Sequence, residues 1–84
     1  MDKRLGFVGI IVEDRKNAAP KVNEVLTEYG DMILARTGIP CAEKKCSIIT
    51  LVVNADTDVL GAMTGKLGKI NSVSVKSALQ KGKE

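Results

Sequence analysis

The chain has 84 residues, the length of one small domain, and a formal net charge of +3 from 13 Lys and Arg against 10 Asp and Glu. It contains no His and no Trp, one Phe and one Tyr. His-based catalytic triads and His metal sites are therefore excluded, and the aromatic platforms of a single-stranded nucleic-acid binder are missing. Hydrophobic residues still reach 44%, so the core must be built from aliphatic side chains and methionine.

Residues 3–12 read as a strand, in which Leu5, Phe7, Val8, Ile10, Ile11 and Val12 place apolar groups on both faces, the pattern of a strand covered on both sides. A charged connection follows (Glu13, Asp14, Arg15, Lys16, Asn17), with Asn17 the expected helix cap and Pro20 tolerated in the first turn. Val22, Val25, Leu26 and Tyr29 recur at i, i+3, i+4 and i+7, one apolar stripe of an α-helix, which Gly30 is expected to end in the left-handed conformation. Residues 31–39 read as a second strand, with Gly38 and Pro40 punctuating its end and a polar turn over 41–45. Residues 46–53 form a third strand, again apolar on both faces. Cap candidates between Asn54 and Asp58 precede a second helical stripe of Leu60, Met63 and Leu67, closed by Gly68. After a turn at Asn71 and Ser72, residues 72–79 alternate: Val73, Val75 and Leu79 on one side, Ser74, Lys76 and Ala78 on the other, as in a half-exposed edge strand. Residues 80–84 read as a frayed, charged tail.

This order predicts a single α+β domain over residues 1–84. It is a ferredoxin-like βαββαβ sandwich with a four-stranded antiparallel sheet, the first and third strands in the middle and two helices on one face. Because the central strands are apolar on both sides, the face without helices must also be apolar, and an apolar surface of that kind marks an interface. Self-association is expected, with sheet extension at the edge strands as a second route. It suits a chain this short, which buries only about 60–65% of its unfolded surface by itself.

The apolar run 5–12 is far too short to cross a bilayer and no small-residue cleavage site follows it, so a cytoplasmic protein without a membrane anchor is expected. Lys66, Lys69, Lys76, Lys81 and Lys83 read as a solvated basic face rather than a nucleic-acid stripe, and no direct nucleic-acid contact is expected. The acidic residues fall on helix faces and caps, which points to a non-enzymatic role without a cofactor. The stretch GAMTGK at 61–66 fails as a phosphate loop: three residues separate the glycines instead of four, Leu67 follows the lysine, and the stretch lies inside a helix.

Three groups of residues carry the candidate chemistry. The connection with Asp14, Arg15 and Asn17 joins a central strand to a helix N-terminus, where backbone N–H groups receive anions. Arg15 or Arg36 can hold a carboxylate or phosphate by paired N–H donors, near the Gly38, Ile39 and Pro40 turn, at an interface between subunits. Cys41 and Cys46 flank a hairpin turn, and three readings stay open: thiols, a redox-responsive cross-turn disulfide, or a thiolate metal site completed by another subunit. A small-molecule effector and a protein partner are thus both compatible with the residues, the second describing an adaptor that binds no ligand.

The segments VGIIVEDR (8–15), KVNEVLTEYGD (21–31), RTGIP (36–40), LGAMTGKLGK (60–69) and VSVKSA (73–78) resemble a small bacterial family of iron-only hydrogenase system regulators, over nearly the whole chain. That family is similar to ACT domains and to the C-terminal, effector-binding domain of the nickel-responsive repressor. The resemblance implies an ACT-type fold, a dimer or tetramer, and a regulatory role linked to hydrogenase systems. The first strand-to-helix loop departs from amino-acid-binding ACT domains in having no Gly, and the absence of His departs from the nickel site of the repressor.

Overall fold

The structure is a computed structural model and describes residues 2–41, 43 and 45–82. Strand β1 (Arg4–Val12), helix α1 (Arg15–Glu28), strand β2 (Ile33–Cys41), strand β3 (Cys46–Ala55), helix α2 (Thr57–Gly68) and strand β4 (Val73–Leu79) follow in that order, with a 3-10 turn at Gly30–Met32 before β2. The strands form one antiparallel sheet in the order β2-β3-β1-β4. The two strands with apolar residues on both sides take the centre, as that composition requires.

Alternation along the strands divides the molecule into a covered and an open side. Val8, Ile10 and Val12 of β1 and Ile49, Leu51, Val53 and Ala55 of β3 are buried. They form one cluster with Ala18, Val22 and Leu26 of α1 and Leu60, Met63 and Leu67 of α2, which places both helices on the same face. Burial of each large aliphatic side chain contributes about 1.5–3 kcal/mol, and among the described residues no polar side chain is buried. The intervening residues Leu5, Phe7 and Ile11 of β1 and Ile48 and Val52 of β3 point the other way and are exposed. α2 packs chiefly along β4 and α1 against α2 and β1. Strand β2 receives little cover: between its half-buried ends every residue is exposed.

The helix layer is joined at its surface by Lys66 of α2, whose Nζ lies 2.6 Å from Glu28 Oε2 of α1 and 5.2 Å above the centroid of the Tyr29 ring. The hydrogen bond to Glu28, followed by that to Tyr29, raises the Lys66 pKa above its ordinary 10.5.

Several local expectations are corrected. Asp14, not Asn17, caps α1: its Oδ1 accepts from the Asn17 backbone N–H at 3.3 Å, so the helix begins one turn earlier. Among the described residues no glycine has a positive φ. Tyr29 is the C-cap of α1 and Gly30 opens the 3-10 turn, while Gly68 is the last residue of α2. The left-handed positions belong to Lys45 (φ 55°) in the β2–β3 hairpin and Ser72 (φ 69°) before β4. Gly38, Pro40 and Cys41 lie within β2; a proline is admissible there because β2 is an edge strand, where a missing N–H costs no ladder bond. Gln80 is no part of a loose tail, since its N–H donates to Leu5 O at 2.8 Å and its Oε1 accepts from Leu5 N–H at 2.7 Å. Ala42 and Lys44 of the expected turn, and Lys83 and Glu84 of the expected tail, lie outside the described residues.

Two glycines of β1 separate close packing from open space. A Cβ on Gly6, on the covered side, would overlap the Ala78 carbonyl oxygen and stand 2.6 Å from Leu79 Cδ2. On Gly9, on the open side, it would meet only Lys76 O at 3.9 Å. Gly6→Ala is therefore expected to destabilise the fold by about 1–3 kcal/mol through overpacking, with Gly9→Ala near neutral, as chemical denaturation midpoints will show. A second prediction concerns pH. Asp14 is held below its ordinary 3.8 by the Asn17 side-chain amide and then by the Asn17 backbone N–H. Its contribution is present above the unfolded value and lost as pH falls through the folded one; that of Lys66 is present below 10.5 and lost as pH rises through its raised value. The thermal midpoint difference between wild type and Asp14→Ala should be constant at neutral pH and close at the acid end, and that for Lys66→Met should close at the alkaline end.

Candidate functional site

Because β2 has no helix over it, a cleft of about 220 Å3 opens between its covered-side face and α1. Its walls follow from two periodicities. On α1, Arg15, Ala19 and Asn23 are spaced at i, i+4 and i+8 and so stand on one side of the helix. On β2, Arg36, Gly38 and Pro40 alternate onto the same face of the sheet, with Ile39 at the rim. Val12 and Ile49, both buried in the core, form the apolar floor, and Ser47, the register partner of Pro40, adds a hydroxyl.

Two guanidinium groups therefore share one apolar cleft. Arg36 Nη2 donates to Asn23 Oδ1 at 2.6 Å, which ties the strand to the helix. Arg15 Nη1 reaches Cys46 O at 3.5 Å, a weak bond. The backbone holds Arg15 in place: its N–H donates to Lys45 O at 3.1 Å, and the neighbouring Glu13 N–H to Ser72 O at 2.8 Å. A guanidinium has five N–H donors; neither group is paired with a carboxylate among the described residues, where the ion pair is Lys66 with Glu28. A Cβ built on Gly38 would meet nothing within 4 Å, so this position leaves the cleft its width.

The expected site residues are thus divided. Arg15, Arg36, Gly38, Ile39 and Pro40 come together around the cleft. Asn17 does not join them, and Asp14 meets Arg15 only at a separate recess of about 380 Å3 with Lys16 and Lys45. Asp14 and Asn17 bind each other, Asn17 Nδ2 donating to Asp14 Oδ2 at 2.8 Å, and border a further recess of about 160 Å3 with Ala18, Lys21 and residues 70–72. The carboxylate of Asp14 occupies the amide end of α1 that was expected to receive an external anion. Cys41 and Cys46 are register partners at the mouth of the β2–β3 hairpin, both half-buried, and stand outside the cleft. Among the described residues, no group of three or more His, Cys, Asp and Glu could hold a metal ion, and no helix is long and apolar enough to cross a membrane. Asn23 and Ser47 were not anticipated from the sequence. The signals were present: Asn23 stands two helical steps of four from Arg15, and Ser47 faces Pro40 once the hairpin register is known.

No curated protein matches the chain. Among solved structures, it is similar to the uncharacterized protein TM1266 from Thermotoga maritima at 44% identity, covering 95% of this chain and 100% of that one, with a TM-score of 0.91. It is also similar to the ACT domain from GTP pyrophosphokinase of Chlorobium tepidum (22% identity, 90% of this chain and 99% of that one, TM-score 0.72). An ACT domain protein from Streptococcus pneumoniae aligns at 12% identity over 94% of this chain and 91% of that one, with a TM-score of 0.56. The last two likenesses establish the fold as ferredoxin-like and ACT-type. The TM1266-like family model, described as "Iron-only hydrogenase system regulator, putative", matches residues 4–77, and the chain belongs to that family.

Proposed function

We propose that this domain is a homo-oligomeric regulator in an iron-only hydrogenase system and that it senses a small organic anion held in the cleft between α1 and β2. Family membership and the ACT-type fold support the regulatory role. The observation that carries the sensing role is the placement of Arg15 and Arg36 on one cleft with no carboxylate pairing either among the described residues. Uncompensated positive charge beside an apolar floor of Val12 and Ile49 fits an acid with a short hydrocarbon body. The charged end would take charge-assisted, paired N–H bonds and the body would displace water from the floor. At about 220 Å3 the cleft is below the roughly 300–1,000 Å3 of sites for drug-sized ligands, so the effector is small.

Thermal-shift titration with short-chain carboxylic acids and inorganic phosphate tests this. Stabilisation by at least one acid is expected, reduced about ten- to hundred-fold in apparent affinity by Arg15→Ala or Arg36→Ala, as for loss of a hydrogen bond to a charged group. Gly38→Val, whose side chain projects into open space, is expected to abolish the response while leaving the fold intact. Absence of any response, or equal responses in all three variants, would remove the cleft as the effector site.

A second reading, thiol sensing, rests on the register. Residues directly opposite across antiparallel strands have Cα atoms about 4.5–5.5 Å apart, within the span of a disulfide, and Cys41 and Cys46 occupy such positions. Diamide is expected to remove two hydrogens from the monomer, both thiols being oxidised to one S–S bond as the diazene is reduced to the hydrazine. Intact mass spectrometry would show the loss, and Cys41→Ser would eliminate it.

A further inference from the structure

The open face of the sheet forms three ordered rows across β2, β3, β1 and β4. Ile39, Ile48, Ile11 and Ser74 make one row. Thr37, Thr50, Gly9 and Lys76 make the next, and Ala35, Val52, Phe7 and Ala78 the third. Phe7 is 57% and Ile39 63% exposed. Lys76, on the outermost strand, is the one charged side chain in these rows, and its stem can carry its ammonium to the rim.

The β2 edge of the sheet is less suited to pairing than its face. β2 is broken by a register shift between Ile33 and Ala35 and carries Pro40, two devices that blunt an edge. The face is large enough to associate. Four strands about 4.8 Å apart, some nine residues long at about 3.3 Å each, cover roughly 550 Å2. Two such faces bury on the order of 1,100 Å2, above the threshold of about 1,000 Å2 for a specific interface.

We infer that the open face is covered by a second copy of this chain, stacked sheet on sheet about a two-fold axis parallel to β1 and β3. This rests on the homo-oligomeric reading above and adds the surface that performs it. The axis follows from the rows. Turned about it, β1 lies over β3 of the other copy, so that Phe7 meets Val52, Ile11 meets Ile48, and Thr50 fills the space over Gly9. Lys76 then faces Thr37 instead of another Lys76. An axis across the strands would oppose the two lysines, a like-charge contact with no carboxylate in these three rows to offset it. The product is a four-layer dimer with helices outside and two sheets about 10 Å apart within.

Native mass spectrometry of the full chain, with circular dichroism as a check on folding, tests the surface. Wild type is expected at twice the chain mass or a multiple of it. Phe7→Asp places a charge on the interface without touching the core and is expected to raise the dissociation constant roughly a hundred-fold or more, as for an unpaired buried charge, giving folded monomers. Val52→Lys, in the same row on the neighbouring strand, is expected to do likewise and covers the case in which Phe7→Asp does not fold. A monomeric wild type would overturn both self-association and this surface. An oligomer that survives both substitutions would overturn the surface alone and leave self-association standing through an edge.

Discussion

At the centre of the sheet, β1 and β3 carry apolar side chains on both faces, while both helices lie on one of those faces. An antiparallel sheet can leave one side to water when that side is polar; here it is not. The covered side closes a core of buried aliphatic residues without a buried polar side chain among the described residues. On the other side isoleucine, valine and phenylalanine flank a middle row of threonine, glycine and lysine. The helices also leave β2 without cover, so the edge strand is exposed on its helix side, where the two arginines meet, as well as on its open side. The cleft and the open apolar face are consequences of the same incomplete covering, one on each side of β2.

The fold was legible because its strongest signals are also its physical constraints. Two-sided apolar strands belong at the centre of a sheet, and stripes at helical spacing, such as Leu60, Met63 and Leu67, mark the face that a helix buries in the core. What was misread was punctuation. Gly30, Gly38 and Pro40 are turn-formers by propensity, yet the pairing of β2 with β3 carries the strand through Gly38 and Pro40, and Gly30 enters a 3-10 turn without a left-handed φ. The shift of the cap from Asn17 to Asp14 has the same origin: both residue types cap helices, and tertiary hydrogen bonds from Glu13 and Arg15 decide where α1 begins.

The candidate site was legible in part, for a related reason. Arginines near a strand end and a turn could be singled out as candidate anion-binding groups from residue type alone. That Arg15 and Arg36 share a cleft, while Asp14 and Asn17 satisfy each other, depends on how α1 lies against β2. Asn23 escaped notice because an amide in the middle of a helix carries no signal until its facing strand is known; only then does its bond to Arg36 make it a wall of the cleft. The ACT-type fold alone does not specify a ligand, since one fold hosts many sites. The case for sensing therefore rests on charge and shape at this cleft.

Tyr29 stands at the C-cap of α1, half-buried beneath the Lys66 ammonium, and the chain holds no Trp and no other Tyr. Excited at wavelengths that Phe7 does not absorb, its near-ultraviolet emission therefore arises from a single place, the seam between the two helices, on the side of the sheet away from the open face. Nature has supplied a one-site optical label: a change in its intensity reports on the helix layer, and a stacking event that leaves the helices in place is silent to it.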